Sequence, residues 1–222
     1  MVTLLHTNRL REFFLFVAVK VVSGNDHECP VLYELVQQFV EAVGPGVMKR
    51  LILDRGFLDG KAISLCKKQY GIDILIPIRR NMDLYGDAMA LFREPEVDWV
   101  ACNEREEEVD EPVRPKPKLI LKREKKRQQK LRQLKEQQPP PPPDKILVKT
   151  EAASIGEFRS WSSCTVPLTV VANREHYADG HTEVWFLMDT QEVQDPSQTR
   201  QHYHLRTSTQ DRYRHLKSFS DL

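Results

Sequence analysis

Three short apolar runs limit what this chain can fold into: FFLFVAVKVV (Phe13–Val22), RLILD (Arg50–Asp54) and IDILIPI (Ile72–Ile78). The first is rich in β-branched and aromatic side chains, as a central, buried strand would be. Between the runs, apolar residues return at helical spacing. Val31, Leu32, Leu35, Val36, Phe39 and Val40 make one helical face, and Ala62, Ile63, Leu65 and Cys66 make another in a helix over about 60–70. Asn25 and Asp26 are available as caps for the first helix, Pro30 suits its first turn, and Gly44-Pro45-Gly46 stops it. Strand, helix, strand, helix, strand predicts an α/β sheet with parallel members. Ligand chemistry in such sheets gathers at the carboxyl ends of the strands, where Asp54 closes one run and Arg79-Arg80 follow another.

The pattern changes after about residue 92. REPEVDWVACNEREEEVDE (93–111) is acidic, and RPKPKLILKREKKRQQKLRQLKEQQ (114–138) is strongly basic, so a net charge of only +1 hides local segregation. The basic block reads either as a solvated helix or tail, or as a segment that contacts phosphates and gains affinity by releasing counterions. Five prolines, 139–143, then favour an extended spacer. KILVKT, CTVPLTVVAN and TEVWFLMDT follow as strands, with ADGH as a tight turn between the last two.

Several functions are disfavoured by what the chain contains. Its four cysteines stand far apart with no CxxC pair, which points to neither a zinc knuckle nor a disulfide framework and makes a reduced compartment the default. No apolar run approaches the roughly 20 residues needed to cross a bilayer. His202 and His204 lie two apart on a helix and point to opposite sides, and His27 with Cys29 lacks partners for tetrahedral zinc. There is no Gly-rich phosphate loop and no G-x-S-x-G elbow.

The last helix, expected from about Pro196 to Lys217, sets Tyr203, Arg206, Gln210 and Lys217 on roughly one face. That spacing resembles the Tyr–x2–Arg–x3–Glu–x6–Lys signature of the DDE-type insertion-sequence transposases, in their insertion-sequence-four group. LILDRGFLDG resembles the segment with that family's second catalytic Asp, here Asp54, and GNDHECPVLYELV its preceding strand, loop and helix. Taken alone, Asp54 would be a strand-end cap, and Arg206 and Lys217 a solvated face.

The resemblance implies a ribonuclease H-like α/β fold: a mixed sheet with flanking helices, interrupted by a β-rich insertion and the charged, Pro-rich segment. It divides the chain into a partial catalytic core (1–92), a linker (93–143), a β-rich insertion (144–195) and the signature helix (196–222). It also implies DNA strand cleavage and transfer, in which three carboxylates hold two Mg²⁺ ions. Asp54 would be a metal ligand and, with the position of Gln210, catalytic; Tyr203, Arg206, Lys217, Arg79 and Arg80 would contact DNA. Two positions depart from the pattern. Gln210 stands where the family has its Glu, and an amide oxygen is a weaker Mg²⁺ ligand. The family's first Asp has no counterpart, since only Glu12 precedes the Phe13–Val22 run closely. The expectation is therefore a truncated or decayed transposase, inactive in strand transfer, in the cytoplasm with the nucleoid. Its partner is DNA at transposon ends; a homodimer is allowed, and neither membrane nor small-molecule substrate is expected. The alternative is a non-catalytic DNA-binding remnant, or an interaction protein that uses the basic segment.

Overall fold

The computed structural model of the protein describes residues 2–7, 14–23, 27–102 and 146–207. Strand and helix alternate through the first part as the apolar spacing predicts, with one rearrangement. Strand β1 (Val2–Thr7) pairs antiparallel with β2 (Phe14–Lys20) in a sheet of two strands. The Phe13–Val22 run is therefore not a central strand. Leu15 and Val19 are half exposed, while Val17 and Ala18 pack on the core. A continuous apolar run is the mark of a strand covered on both faces; here, among the described residues, Leu15 and Val19 stay open while the strand packs on helix α1.

Helix α1 (Glu28–Val43) buries Val31, Leu32, Leu35, Val36 and Val40. Its N-cap is His27, which makes no side-chain cap bond, while Asn25 and Asp26 lie outside the described residues. Gly44 ends the helix at φ 90°, and its N–H donates to the Val40 carbonyl at 2.8 Å. Strand β3 (Arg50–Ile52) leads to a 3-10 turn at Arg55–Phe57 and then to α2 (Gly60–Leu65), which continues as one π-helical stretch, Cys66–Tyr70. The face expected for this helix shifts. Leu65 is exposed, and Gly60, Ile63, Ser64 and Cys66 are buried. Strand β4 (Asp73–Pro77) and α3 (Asp83–Leu91) complete this part.

The remaining strands are β5 (Val100–Ala101), β6 (Leu147–Phe158), β7 (Leu168–Tyr177) and β8 (Thr182–Asp189). They join β3 and β4 in one six-stranded mixed sheet of order β3-β4-β8-β7-β6-β5. Only β3 and β4 are parallel; the other neighbours are antiparallel. The ADGH turn forms as expected, with Tyr177 N–H donating to the His181 carbonyl at 2.9 Å. Alternation sends side chains to two covered faces. Ile74, Ile76, Val170, Ala172, Phe186 and Met188 belong to the main core, whereas Leu75, Ala152, Val171 and Leu187 form a second cluster. Arg50 reaches past β4 to form an ion pair with Asp189, which is fully buried. Burial pushes the Asp189 carboxyl up from its usual range, against the pull of Arg50.

Helix α4 (Pro196–His204) starts where Asp195 accepts from the N–H groups of Ser197 and Gln198, with Pro196 at its first position. Its described part is shorter than the expected helix. Leu205 and Arg206 donate three residues back, to His202 and Tyr203, so the helix tightens there. Residues 103–145, which hold the basic block and the five prolines, and residues 208–222, which hold Gln210 and Lys217, lie outside the described ones.

Gly60 shows how closely the two parts of the chain meet. A Cβ at this position would lie 2.7 Å from the Ser163 carbonyl carbon and 2.8 Å from the Cys164 nitrogen. Backbone cannot yield as a side chain can, so Gly60→Ala is expected to cost about 1–3 kcal/mol. Thermal denaturation should show a melting point lower by roughly 2–10 °C.

Candidate functional site

Asp54 stands just beyond the carboxyl end of β3. Leu53 keeps the strand in line by donating to the Leu75 carbonyl at 2.9 Å. The Asp54 Oδ1 then accepts from the Arg55 N–H at 2.8 Å and caps the 3-10 turn. The turn is held from below by Tyr33 of α1, whose hydroxyl donates to the Phe57 carbonyl at 2.8 Å. Burial raises the Tyr33 phenol well above its ordinary pKa, so it stays a neutral donor.

The other oxygen of Asp54, Oδ2, lies 3.3 Å from Nη1 of Arg206. The carboxylate is 48% exposed and the guanidinium 24%, so this pair is open to water. Arg79 follows β4 and donates through Nε and Nη2 to the Arg55 carbonyl, at 3.0 and 2.8 Å. Asp54, Arg55, Gly56, Arg79 and Arg80 line a cleft of about 510 Å³. Of the residues singled out from the sequence, the fold thus brings together Asp54, Arg79, Arg80 and Arg206. Arg55, which directly follows Asp54 in LILDRGFLDG, joins them in the cleft, although its spacing carries no signal of its own.

Tyr203 sits behind this group, on the sheet face with Leu75, Val171 and Leu187. Its ring is 6.0 Å from that of Trp185, and the Arg206 guanidinium lies 5.5 Å from it. Burial raises its phenol above the usual value, partly offset by Arg206. Tyr203 therefore buttresses Arg206 at least as much as it faces the cleft.

What fixes α4 on the sheet is a network that residue spacing does not reveal. Glu175 of β7 accepts from Trp185 Nε1 at 3.0 Å, from Tyr177 Oη at 3.0 Å and from Arg200 Nη2 at 2.9 Å. The Arg200 side chain is only 5% exposed. Burial would raise the Glu175 carboxyl, but the bonds from Trp185, Arg200 and Tyr177 outweigh it, and the group sits below its ordinary value. The same contact pushes Tyr177 up to about 12. No spacing rule joins a strand residue to a helix residue 25 positions later.

Divalent metal is the usual requirement of strand-transfer chemistry, and Mg²⁺ needs several oxygen ligands. Among the described residues no three His, Cys, Asp or Glu side chains gather to hold an ion. Among the described residues the cleft offers one carboxylate, Asp54, beside Arg55, Arg79 and Arg80, and these residues alone do not make up the oxygen set that a pair of metal ions needs.

Fold and cleft together define a mixed α/β domain with an arginine-lined cleft at its strand ends. The chain matches the family model of the transposase DDE domain over residues 5–215 and belongs to that family. No curated protein and no solved structure matches it. Among the described residues no helix is long and apolar enough to cross a membrane.

Because folded Glu175 titrates below its unfolded value, its contribution to stability is present above about pH 4.3. It is lost as pH falls through the folded pKa. Glu175→Gln removes the carboxylate shared by Arg200, Trp185 and Tyr177 and should cost about 3–5 kcal/mol at neutral pH. Urea unfolding at a series of pH values should show this loss, and a shallower fall in stability below pH 4.3 than in the native chain.

Proposed function

We propose that the chain is a DNA-binding transposase domain of the insertion-sequence-four group, with a ribonuclease H-like core, that grips transposon-end DNA without cutting it. The parallel pair β3 and β4, with Asp54 beyond the first strand, supports the core assignment. The Tyr203 and Arg206 spacing supports the group. One observation carries the functional reading: among the described residues, the one carboxylate of the cleft, both of whose oxygens are engaged, faces Arg55, Arg79, Arg80 and Arg206.

Such a cleft attracts phosphate more than it attracts a cation. Arg79 spends two N–H groups on the Arg55 carbonyl and keeps its charge. A half-exposed ion pair such as Arg206–Asp54 is worth only about 0–1 kcal/mol, so a phosphate can replace the carboxylate at little cost. Arg206 also has a buried Nε with no acceptor among the described residues. A guanidinium binds phosphate through paired donors, which makes it the natural clamp. Gln210 would leave the site one anionic ligand short, and Lys217 would add a further phosphate contact; both assignments rest on spacing along the helix.

Binding to duplex DNA should fall with salt. The double variant Arg79→Ala, Arg80→Ala should weaken it and lower the slope of log affinity against log salt by about 2. Asp54→Asn, which removes the competing carboxylate, should strengthen binding in Mg²⁺-free buffer. Supercoiled plasmid incubated with the chain and Mg²⁺ should stay uncut. Mg²⁺-dependent nicking that disappears in Asp54→Ala would overturn the non-cutting reading.

A further inference from the structure

The turn that carries Arg55 has little packing of its own. Arg55 and Gly56 are exposed, and only Phe57 leans on the core. A Cβ added at Gly56 would meet no heavy atom of the described residues within 4 Å, and a glycine leaves the backbone free to take other shapes. Hydrogen bonds remove that freedom. The Phe57 N–H donates to the Asp54 carbonyl at 2.9 Å and the Arg55 N–H to Asp54 Oδ1 at 2.8 Å, which close the turn on itself. The Tyr33 hydroxyl, donating to the Phe57 carbonyl at 2.8 Å, ties the turn to helix α1. This part of α1 lies within electrostatic reach of the cleft. One turn before Tyr33, burial and the Asp59 carboxylate raise the Cys29 thiol, and Arg79 pulls it back.

We propose that Tyr33 is a positioning residue for the phosphate grip of Arg79, acting through the Arg55 carbonyl. The proposal rests on the DNA reading given above. Arg79 aligns its guanidinium by donating through Nε and Nη2 to that carbonyl, at 3.0 and 2.8 Å. A guanidinium carries its N–H groups in a fixed fork. With the Nε–Nη2 edge on the carbonyl, the Nη1–Nη2 edge is the one that can meet a phosphate through paired donors. The plane of this clamp is therefore set by where the Arg55 carbonyl points, and the Tyr33 bond, two residues along, fixes the turn that aims it. A side chain held before binding loses less rotamer freedom on binding, which is worth about three- to tenfold in affinity. The ring of Tyr33 would pack on the core without its hydroxyl; what assigns the hydroxyl to the site is that its acceptor lies in the turn and not in α1.

The test is a double-mutant cycle on the binding of a short DNA duplex by the full chain, read by fluorescence anisotropy at low salt. Tyr33→Phe keeps the ring and should weaken binding by about three- to tenfold. In the Arg79→Ala background the same change should have an effect under about twofold, since the group that Tyr33 aims is gone. The NMR signal of Arg79 Nε gives a readout without DNA: its N–H should exchange with solvent about fivefold faster in Tyr33→Phe than in the native chain. Should Tyr33→Phe fail to fold, Tyr33→Met, which also keeps apolar bulk, carries the same cycle. Equal weakening in both backgrounds shows only a loosened fold and overturns the positioning role, as does unchanged binding in Tyr33→Phe. An unchanged Arg79 Nε exchange rate overturns the role and leaves the DNA reading intact. Failure of the native chain to bind the duplex overturns the DNA reading, and this role with it.

Discussion

The antiparallel pairing of β4 with β8 is the contact on which the rest of the arrangement depends. It places Leu75 beside Asp189 and Pro77 beside Leu187, residues more than a hundred positions apart in the chain. Through it the β3–β4 pair gains two covered faces, one lined by Ile74 and Ile76 and the other by Leu75. Arg50 secures the same junction by reaching over β4 to Asp189. The cleft follows from this geometry. Arg79 and Arg80 lie just past the end of β4, and α4 leaves β8 so as to bring Arg206 over the end of β3. Without the β4–β8 ladder, Asp54 and Arg206 would have no common surface.

Two arginines of the same segment form ion pairs of opposite character. Arg200 is almost fully buried, and its partner Glu175 has two further donors, so breaking that pair disrupts a desolvated network at a large cost. Arg206 and Asp54 are both partly wet, and water or another anion can replace either partner cheaply. The first pair is scaffold and the second is exchangeable. An anion site needs this combination: a rigid support beneath a guanidinium whose present partner is weakly held.

Much of the local structure could be read from residue spacing. The α1 face, the strands β3 and β4, the Gly44 stop, the ADGH turn and the start of α4 all depend on short-range periodicity, caps and turns. What spacing could not show were matters of partnership. The Phe14–Lys20 strand has the composition of a central strand, yet among the described residues it pairs with β1 alone. Leu65 falls on the apolar face of an ideal helix, but the chain there changes to π-helical winding and leaves it in solvent. At the site, Asp54, Arg79, Arg80 and Arg206 could be named because they fall at strand ends or match a family pattern. Glu175, Arg200 and the Tyr33–Phe57 bond could not, because each contact joins residues whose neighbourhood only the fold creates.

The distance along the chain between β4 and β8 also has a meaning in time. A ribosome adds about 5–20 residues per second, so β4 is complete roughly 6–20 s before its neighbour β8 exists. During that wait Ile74, Leu75 and Ile76 form an apolar strand with one unfilled edge. Such an edge invites pairing with any other unfinished chain. The hazard for this protein therefore falls during its synthesis, while β4, whose three central residues are fully buried in the finished sheet, has β3 on one edge and nothing yet on the other.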